Sequence, residues 1–220
     1  VESIPGILLS AGSSIRFGSE KLLTLLPTGG TLLERVLRVH MQSQISPLVV
    51  VVSAFLGKII FEKAGILALS RIAVEKEVGH WYALSSRWGQ GRLVINENSK
   101  EGISSSIHTG LSCLKDEEKD NGVLISLADL PYLRCETIDY LIKKFLEEGA
   151  GVLVPVFNGV TGHPVIVDMN RFEADIGKIK GDVGLRVLIK KYPGMVKRIP
   201  WKDDSVIWDI DEPGDLEGLL

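Results

Sequence analysis

Short runs of aliphatic and β-branched residues alternate along the chain with stretches whose apolar residues recur every three to four positions. Gly6–Ser10 is a brief apolar run that gives way at once to a Gly/Ser loop. Thr31-Leu-Leu-Glu34 has the spacing of a capping box, and Leu33, Val36, Leu37, His40 and Met41 follow it with helical periodicity. Pro47–Ser53 holds four consecutive valines, the pattern of a strand covered on both faces. A helical pattern then runs through about Phe55–Leu69. Arg92–Asn96 reads as a strand, and Ser104–Leu114 as a helix with Ile107, Leu111 and Leu114 on one face. Gly122–Leu127 is a strand ending at Ala-Asp-Leu-Pro, followed by a helix over Cys135–Glu148. Gly151–Val156 and His163–Val167 read as strands, Asp182–Tyr192 as a helix, and Val196–Pro200 and Val206–Ile210 as strands. A last short helix is predicted near Pro213, since proline suits the first helical turn.

This alternation predicts an α/β fold: a three-layer α/β/α sandwich around a Rossmann-like, mostly parallel sheet with helices on both faces. Ser70–Gly91 has no clear period and contains Trp81, Tyr82 and Trp88, so a lid, a partner surface and a strand pair stay open there. No repeat or low-complexity linker divides the 220 residues, and one domain is expected.

Composition narrows the function classes. Hydrophobic residues make up 45% and charged residues 24%, a globular balance. With 25 Lys and Arg against 28 Asp and Glu, the net charge of −3 offers no global attraction for nucleic acid. Trp81, Trp88, Trp201 and Trp208 form no base-stacking series interleaved with basic residues, which argues the same way. No apolar run approaches the ~20 residues that span a bilayer, and nothing near the start reads as a secretion signal. Cys113 and Cys135 have the spacing of neither a disulfide framework nor a zinc site. A cytoplasmic protein with no membrane partner is expected.

The chemistry gathers first in the loop after the first strand, Leu8-Leu-Ser-Ala-Gly-Ser-Ser-Ile-Arg-Phe-Gly-Ser-Glu-Lys21. In an open α/β sheet, ligands bind beyond the carboxyl ends of the strands. Gly12 and Gly18 permit close backbone approach, and successive N–H groups can cradle phosphate oxygens. Arg16 can offer a planar fork to a phosphate, and Lys21 a compact charge. The loop is neither a Walker A motif nor Gly-x-Gly-x-x-Gly. Its bland alternative is a flexible turn with solvated cations.

The loop resembles the Leu-Ala-Ala-Gly-x-Ser-x-Arg-Met-Gly-x-x-Lys segment of the molybdenum cofactor cytidylyltransferase and molybdopterin-guanine dinucleotide synthase group of nucleotidyltransferases. It departs by Ser10 for alanine and Phe17 for methionine. Further matches follow in order. Asn96–Leu111 resembles the group's Asn-Pro-x-x-x-x-Gly-Met-x-x-Ser-Leu-x-x-Gly-Leu, and Leu127-Ala-Asp-Leu-Pro131 its Gly-Asp-Met/Gln-Pro. Gly162-His-Pro-Val165, Gly181-Asp-Val-Gly-Leu-Arg186 and Asp209-Ile-Asp-Glu-Pro-Gly-Asp-Leu216 have counterparts too. The resemblance covers nearly all of the chain except Ser70–Gly91.

What the resemblance implies can be placed on this sequence residue by residue. Leu9, Ser10, Ala11, Gly12, Ser13, Ser14, Arg16 and Lys21 would bind the nucleotide, with Ser106 near its base or ribose. Arg16, Lys21 and Asp129 would carry the catalysis, and Asp129 with Asp211 would hold Mg²⁺, which prefers one or two carboxylates plus phosphate oxygens. Asp209 is the substitute candidate for the second ligand. Gly162, His163, Pro164 and Arg186 would line the acceptor side, with His163 donating to an anionic or pterin group. Each has a plainer reading: Asp129 as a turn or helix cap, Ser104, Ser105 and Ser106 as N-caps, His163 as a packing residue. His40, His80 and His108 are expected to be structural or at the surface. Lys190, Lys191, Lys197, Arg198 and Lys202 give the last part a mild positive bias, either a solvated face or an attraction for an anionic acceptor.

The resemblance thus implies a nucleotide-diphospho-sugar transferase-like fold and an Mg²⁺-dependent transfer of CMP from CTP to the terminal phosphate of molybdopterin. Residues up to about 150 would form the nucleotide side and 151–220 the acceptor side. The product would pass to an apo-molybdoenzyme of the xanthine dehydrogenase type. The alternatives are a relative using GTP, one acting on a sugar or metabolite phosphate, and a non-catalytic maturation factor. The last has no need of Lys21, Asp129 and Asp211 together.

Overall fold

The strand β1 (Ile4–Ser10) is buried along its whole length, and the sheet grows outward from it in both directions. A computed structural model describes residues 3–12, 21–27, 29–63, 72–212 and 214–215, with 72–78 described by backbone alone. In chain order, β1 is followed by α1 (Leu32–Met41), β2 (Ile45–Ser53), α2 (Ala54–Lys63), β3 (Ile72–Val78), β4 (Trp81–Ser86) and β5 (Gly89–Asn96). Then come α3 (Ile103–Leu111), α4 (Asp116–Lys119), β6 (Val123–Leu127), α5 (Cys135–Glu148) and β7 (Val152–Phe157). The chain continues with β8 (Val160–Thr161), β9 (Val165–Val167), α6 (Met169–Ile176), α7 (Arg186–Lys191) and β10 (Val196–Pro200).

The sheet runs β10-β7-β9-β6-β1-β2-β5-β4-β3, with β8 paired to β7. β6, β1, β2 and β5 are mutually parallel, β10 is parallel to β7, and the remaining pairings are antiparallel. Because β2 and β5 lie on one side of β1 and β6 on the other, the chain reverses its direction of growth between β1 and β6. A crevice at the carboxyl ends of these two strands is where such sheets take ligands.

Two apolar layers sandwich the sheet. Leu8, Val50, Val52, Leu93, Leu124 and Leu153 face one layer with Leu33 and Val36 of α1, Leu56 of α2 and Leu141 of α5. Ile7, Leu9, Val49, Val51, Ile125 and Val154 face the other with Ile107 of α3, Phe172 of α6 and Leu188 of α7. Adjacent strand residues point to opposite faces, so the valine run 49–52 feeds both layers. This is the expected three-layer sandwich with a mostly parallel centre. α1 opens with the expected capping box: the Glu34 amide donates to Thr31 Oγ1 at 3.2 Å, and the Thr31 amide to Glu34 Oε2 at 2.8 Å.

Several boundaries differ from the expectations. The 70–91 stretch resolves as a strand pair: β3 and β4 join through Gly79-His80 and extend the sheet beyond β5. A register shift between Val74 and Glu77 breaks the twofold alternation that would have revealed β3. The helix expected from Asp182 begins only at Arg186, because Gly181 (φ 71°) and Gly184 (φ 52°) hold left-handed backbone. Val206–Ile210 is not a strand. Asp203 accepts from the Ser205 amide and opens a 3₁₀ turn over Asp204–Val206, after which the Ile207 and Trp208 amides both return to the Asp204 carbonyl at 2.8 Å. α2 is described to Lys63, α3 stops at Leu111, and the helix expected at Pro213 lies outside the described residues.

Candidate active site

The carboxyl ends of β1 and β6 are tied together where the Ala128 amide donates to the Leu9 carbonyl at 3.1 Å. This bond sets Leu9, Ser10, Ala11 and Gly12 alongside Asp129, which follows β6 by two residues. Leu9, Ser10 and Ala11 are buried, and the Ser10 hydroxyl has no partner among the described residues. None of the described residues lies within 4 Å of the position a Cβ on Gly12 would take. Ser13, Ser14, Arg16 and Gly18 lie outside the described residues.

Lys21 starts a short 3₁₀ turn and reaches into this crevice. Its Nζ donates to Asp129 Oδ2 at 2.9 Å and to the Ile210 carbonyl at 2.7 Å, and lies 3.9 Å from Asp211 Oδ1. The Ile210 amide in turn donates to the Asp129 carbonyl at 3.0 Å. Residues separated by as much as 189 positions thus converge on one ammonium group. The other Asp129 oxygen, Oδ1, is buried with no hydrogen-bond partner among the described residues. Asp209 is exposed, yet its carboxyl is raised above the ordinary range, by partial desolvation first and then by the carboxylates of Asp129 and Asp211, with Lys21 opposing.

The donor set fits one kind of metal better than another. Among the described residues no group of three or more His, Cys, Asp or Glu side chains is placed to hold a metal ion. An all-protein cage, as calcium or structural zinc would need, is therefore lacking in that set. Asp129 and Asp211, with the orphaned Asp129 Oδ1, suit a hard cation that takes its remaining oxygens from phosphates and water.

Ser106 sits in the first turn of α3, beyond the end of β5. It is buried, and its Oγ accepts from Asn96 Nδ2 at 2.9 Å. Ser105 Oγ accepts from the same nitrogen at 2.9 Å and also lies 2.9 Å from the carbonyls of Asn98 and Gly102. None of the three serines caps α3 by its side chain; the N-cap is Gly102. Asn96, which fastens this turn, was not among the expected site residues. Its place at a parallel strand's carboxyl end was the available signal.

On the other flank, the Gly162 amide donates to the Pro155 carbonyl at 2.9 Å and the His163 amide to the Val206 carbonyl at 2.7 Å. A Cβ on Gly162 would stand 2.3 Å from the Val206 carbonyl oxygen, so no larger residue fits. The His163–Pro164 peptide is cis. Burial pushes the His163 imidazole down to about 4, against the opposing pull of Asp129 and of a hydrogen bond to the Ile125 backbone, with Arg186 lowering it further. The ring is neutral at pH 7. Its Nδ1 is buried with no hydrogen-bond partner among the described residues. Arg186, near enough to influence this ring, is exposed at the start of α7.

The other histidines are structural, as expected. His40 Nδ1 bonds the Val36 carbonyl at 2.8 Å, His80 Nε2 the Ser112 carbonyl at 2.9 Å and His108 Nε2 the Ile176 carbonyl at 2.9 Å. Both cysteines are free thiols. No helix among the described residues is long and apolar enough to cross a membrane.

A doubly wound sheet with a glycine-containing loop, a lysine and converging carboxylates at its switch point defines a nucleotide-binding α/β protein. The family model for the MobA-like NTP transferase domain matches residues 6–196, and the chain belongs to that family of nucleotidyltransferases. Among curated proteins it is similar to nicotine blue oxidoreductase of Paenarthrobacter nicotinovorans, 25% identical over 136 residues. That match takes in 59% of this chain and 64% of the relative, so the chain spans less than two thirds of the curated protein it matches. Among solved structures, Rv0371c of Mycobacterium tuberculosis superimposes with a TM-score of 0.75 at 19% identity, covering 99% of this chain and 98% of that one. Molybdopterin-guanine dinucleotide biosynthesis protein A of Archaeoglobus fulgidus gives a TM-score of 0.62 at 16% identity, covering 98% and 96%. These structural likenesses bear on the fold.

Proposed function

We propose that the protein is an Mg²⁺-dependent cytidylyltransferase that joins CMP from CTP to the terminal phosphate of a molybdopterin-type acceptor and releases pyrophosphate. The observation that carries this reading is the Lys21 ammonium lodged between Asp129, the Ile210 carbonyl and Asp211 at the β1/β6 crevice. Phosphoryl and nucleotidyl transfers need positioning and charge neutralisation more than a protein nucleophile. A lysine and two carboxylates at one point supply a fixed cation and the ligands for a mobile one.

In this reading an acceptor phosphate oxygen forms a bond to the α-phosphorus of CTP while the bond from that phosphorus to the β-phosphate oxygen breaks. Lys21 neutralises charge on the α-phosphate, and Arg16 with the Ser10–Ser14 amides grips the triphosphate. Ser106, held by Asn96, faces the base or ribose. Asp129 and Asp211 would hold the Mg²⁺, which supplies further charge neutralisation when bound. Residues after about 150 form the acceptor side around Gly162, His163, Pro164 and Arg186, and the product is handed to an apo-molybdoenzyme of the xanthine dehydrogenase type in the cytoplasm. Ala11 supports CTP over GTP: it is 6% exposed, and its Cβ narrows the space beside a bound base more than glycine would.

The match to nicotine blue oxidoreductase favours a second reading, an oxidoreductase activity. The test is pyrophosphate release with Mg²⁺, molybdopterin and each nucleoside triphosphate in turn, alongside oxidation of NADH and NADPH. Release that requires molybdopterin and is fastest with CTP supports the proposal. Fastest release with GTP moves the reading to the guanylyl group. Nicotinamide oxidation with no pyrophosphate from any triphosphate replaces it.

A further inference from the structure

The segment Gly181–Arg186 does more than border the acceptor side, because it also caps the helix on the nucleotide side. Asp182 Oδ1 accepts from the Ile103 amide at 3.2 Å, and the Gly181 carbonyl accepts from the Ser104 amide at 3.1 Å. These are the first two amides of α3, which every helix leaves unpaired and which a local side chain usually satisfies. Here the local N-cap is Gly102, which has no side chain to offer, and the caps come from about 80 residues away along the chain.

The contact is close. A Cβ on Gly102, itself at φ 100°, would stand 2.5 Å from the Gly181 carbonyl carbon. A Cβ on Gly184 would stand 3.2 Å from Ile103 Cγ2. The same neighbourhood holds α3 a second time, through His108 Nε2 and the Ile176 carbonyl. The carboxylate of Asp182 also sits where the helix dipole favours a negative group, so this helix end is occupied by the protein's own anion. Phosphate charge is thereby left to the loop after β1.

The first turn of α3 is also the turn that carries Ser105 and Ser106, both fastened to Asn96. We propose that Asp182 is a positioning residue for the nucleotide side. By capping α3 from the acceptor half, it fixes the Asn96–Ser105–Ser106 cluster and couples the two halves of the site. Loss of the cap frees the Ile103 amide, lets the first turn fray and spreads Ser106 over several positions, which weakens nucleotide binding without touching the acceptor.

This inference rests on the proposed reading that Ser106 contacts the nucleotide, and the test separates the two. CTP affinity with Mg²⁺ is measured by calorimetry without acceptor, and KM for each substrate by pyrophosphate release, in the wild type, Asp182→Ala and Asp182→Asn. Asp182→Ala is expected to weaken CTP about fivefold, the scale of one lost cap, with the acceptor KM within about twofold of wild type. Asp182→Asn keeps the accepting Oδ1 and is expected to recover most of the loss, which a purely electrostatic or general destabilising effect would not. Unchanged CTP affinity in Asp182→Ala, or a rise confined to the acceptor KM, overturns the coupling while leaving the nucleotide reading intact. A wild type that binds no nucleoside triphosphate overturns both. Should Asp182→Ala be too unstable to assay, wild-type-like affinity in Gly181→Ala, which strains the same clip at φ 71°, overturns the inference instead.

Discussion

Lys21 Nζ and Asp129 Oδ2 stand 2.9 Å apart at a separation of 108 positions in the chain, and that ion pair closes the crevice between β1 and β6. Lys21 retains 13% and Asp129 23% of side-chain exposure, so the pair is only lightly screened by solvent. Asp211 stands 3.9 Å from the same ammonium, and the carboxylates of Asp129 and Asp211 add to partial desolvation in raising the Asp209 carboxyl.

Replacing the carboxylates tests their separate roles. Asp129→Ala is expected to lower kcat roughly 10²-fold or more, the cost of one electrostatic stabiliser. Asp211→Ala should behave similarly, and Asp209→Ala much more mildly. Steady-state rates of pyrophosphate release at saturating Mg²⁺ check the series. An Asp209 variant as impaired as the other two would exchange the assignments of Asp209 and Asp211.

Lys21→Met is expected to lose activity on the same scale and, unlike Asp129→Ala, which should change stability little, to destabilise the fold. Removing the ammonium leaves Asp129, Asp209 and Asp211 facing one another, so the metal-free variant should lose about 1–3 kcal/mol. Added Mg²⁺ should return part of that loss. Removing a carboxylate instead relieves repulsion and offsets the lost ion pair. Thermal unfolding with and without Mg²⁺ measures both effects, and a stabilised Lys21→Met would contradict this electrostatic account.

His163→Ala is expected to raise the acceptor KM while leaving CTP affinity nearly unchanged. The ring lies in the 151–220 half, beside Gly162, whose position under Val206 tolerates no side chain. Were the variant to weaken CTP and spare the acceptor, the division of the chain at about residue 150 would fail.

The acid limb of stability should report His40. This ring is fully buried in α1 and pushed down to about 4 by burial, against the pull of its Val36 hydrogen bond, from an ordinary value of 6.5. Between those values the unfolded chain binds the proton and the folded protein does not. Stability therefore falls as pH drops from about 6.5 to 4, by roughly 3 kcal/mol for this one group. His163 shifts the same way and adds to the trend. His40→Leu should flatten the decline in chemical denaturation measured at pH 7, 5.5 and 4.5; an unchanged slope would remove His40 as its source.

Much of the centre of this fold was legible because it obeys simple periods. The valine run 49–52, the Thr31–Glu34 box and the Cys135–Glu148 helix all stand where the pattern places them. Legibility fails where a backbone feature interrupts the period, as at the Val74/Glu77 shift in β3 and at Gly181 and Gly184 before α7. It fails also where a side chain serves a distant element. Asp182 looked like the start of its own helix and is spent on α3. Asp129 and Lys21 could be placed at the crevice because open sheets take ligands beyond the carboxyl ends of their strands, but the Ile210 carbonyl that also accepts from the lysine has no sequence signature.

The central claim is tested most directly by following the α-phosphorus. CTP labelled at the α-phosphate is incubated with the protein, Mg²⁺ and molybdopterin, and the products are separated. The account predicts that label moves into the pterin product with one pyrophosphate released per label transferred, that equal unlabelled GTP competes poorly, and that Asp129→Ala slows the transfer roughly 10²-fold or more. Label that stays in CTP, or passes to the acceptor only when carried by GTP, would contradict it.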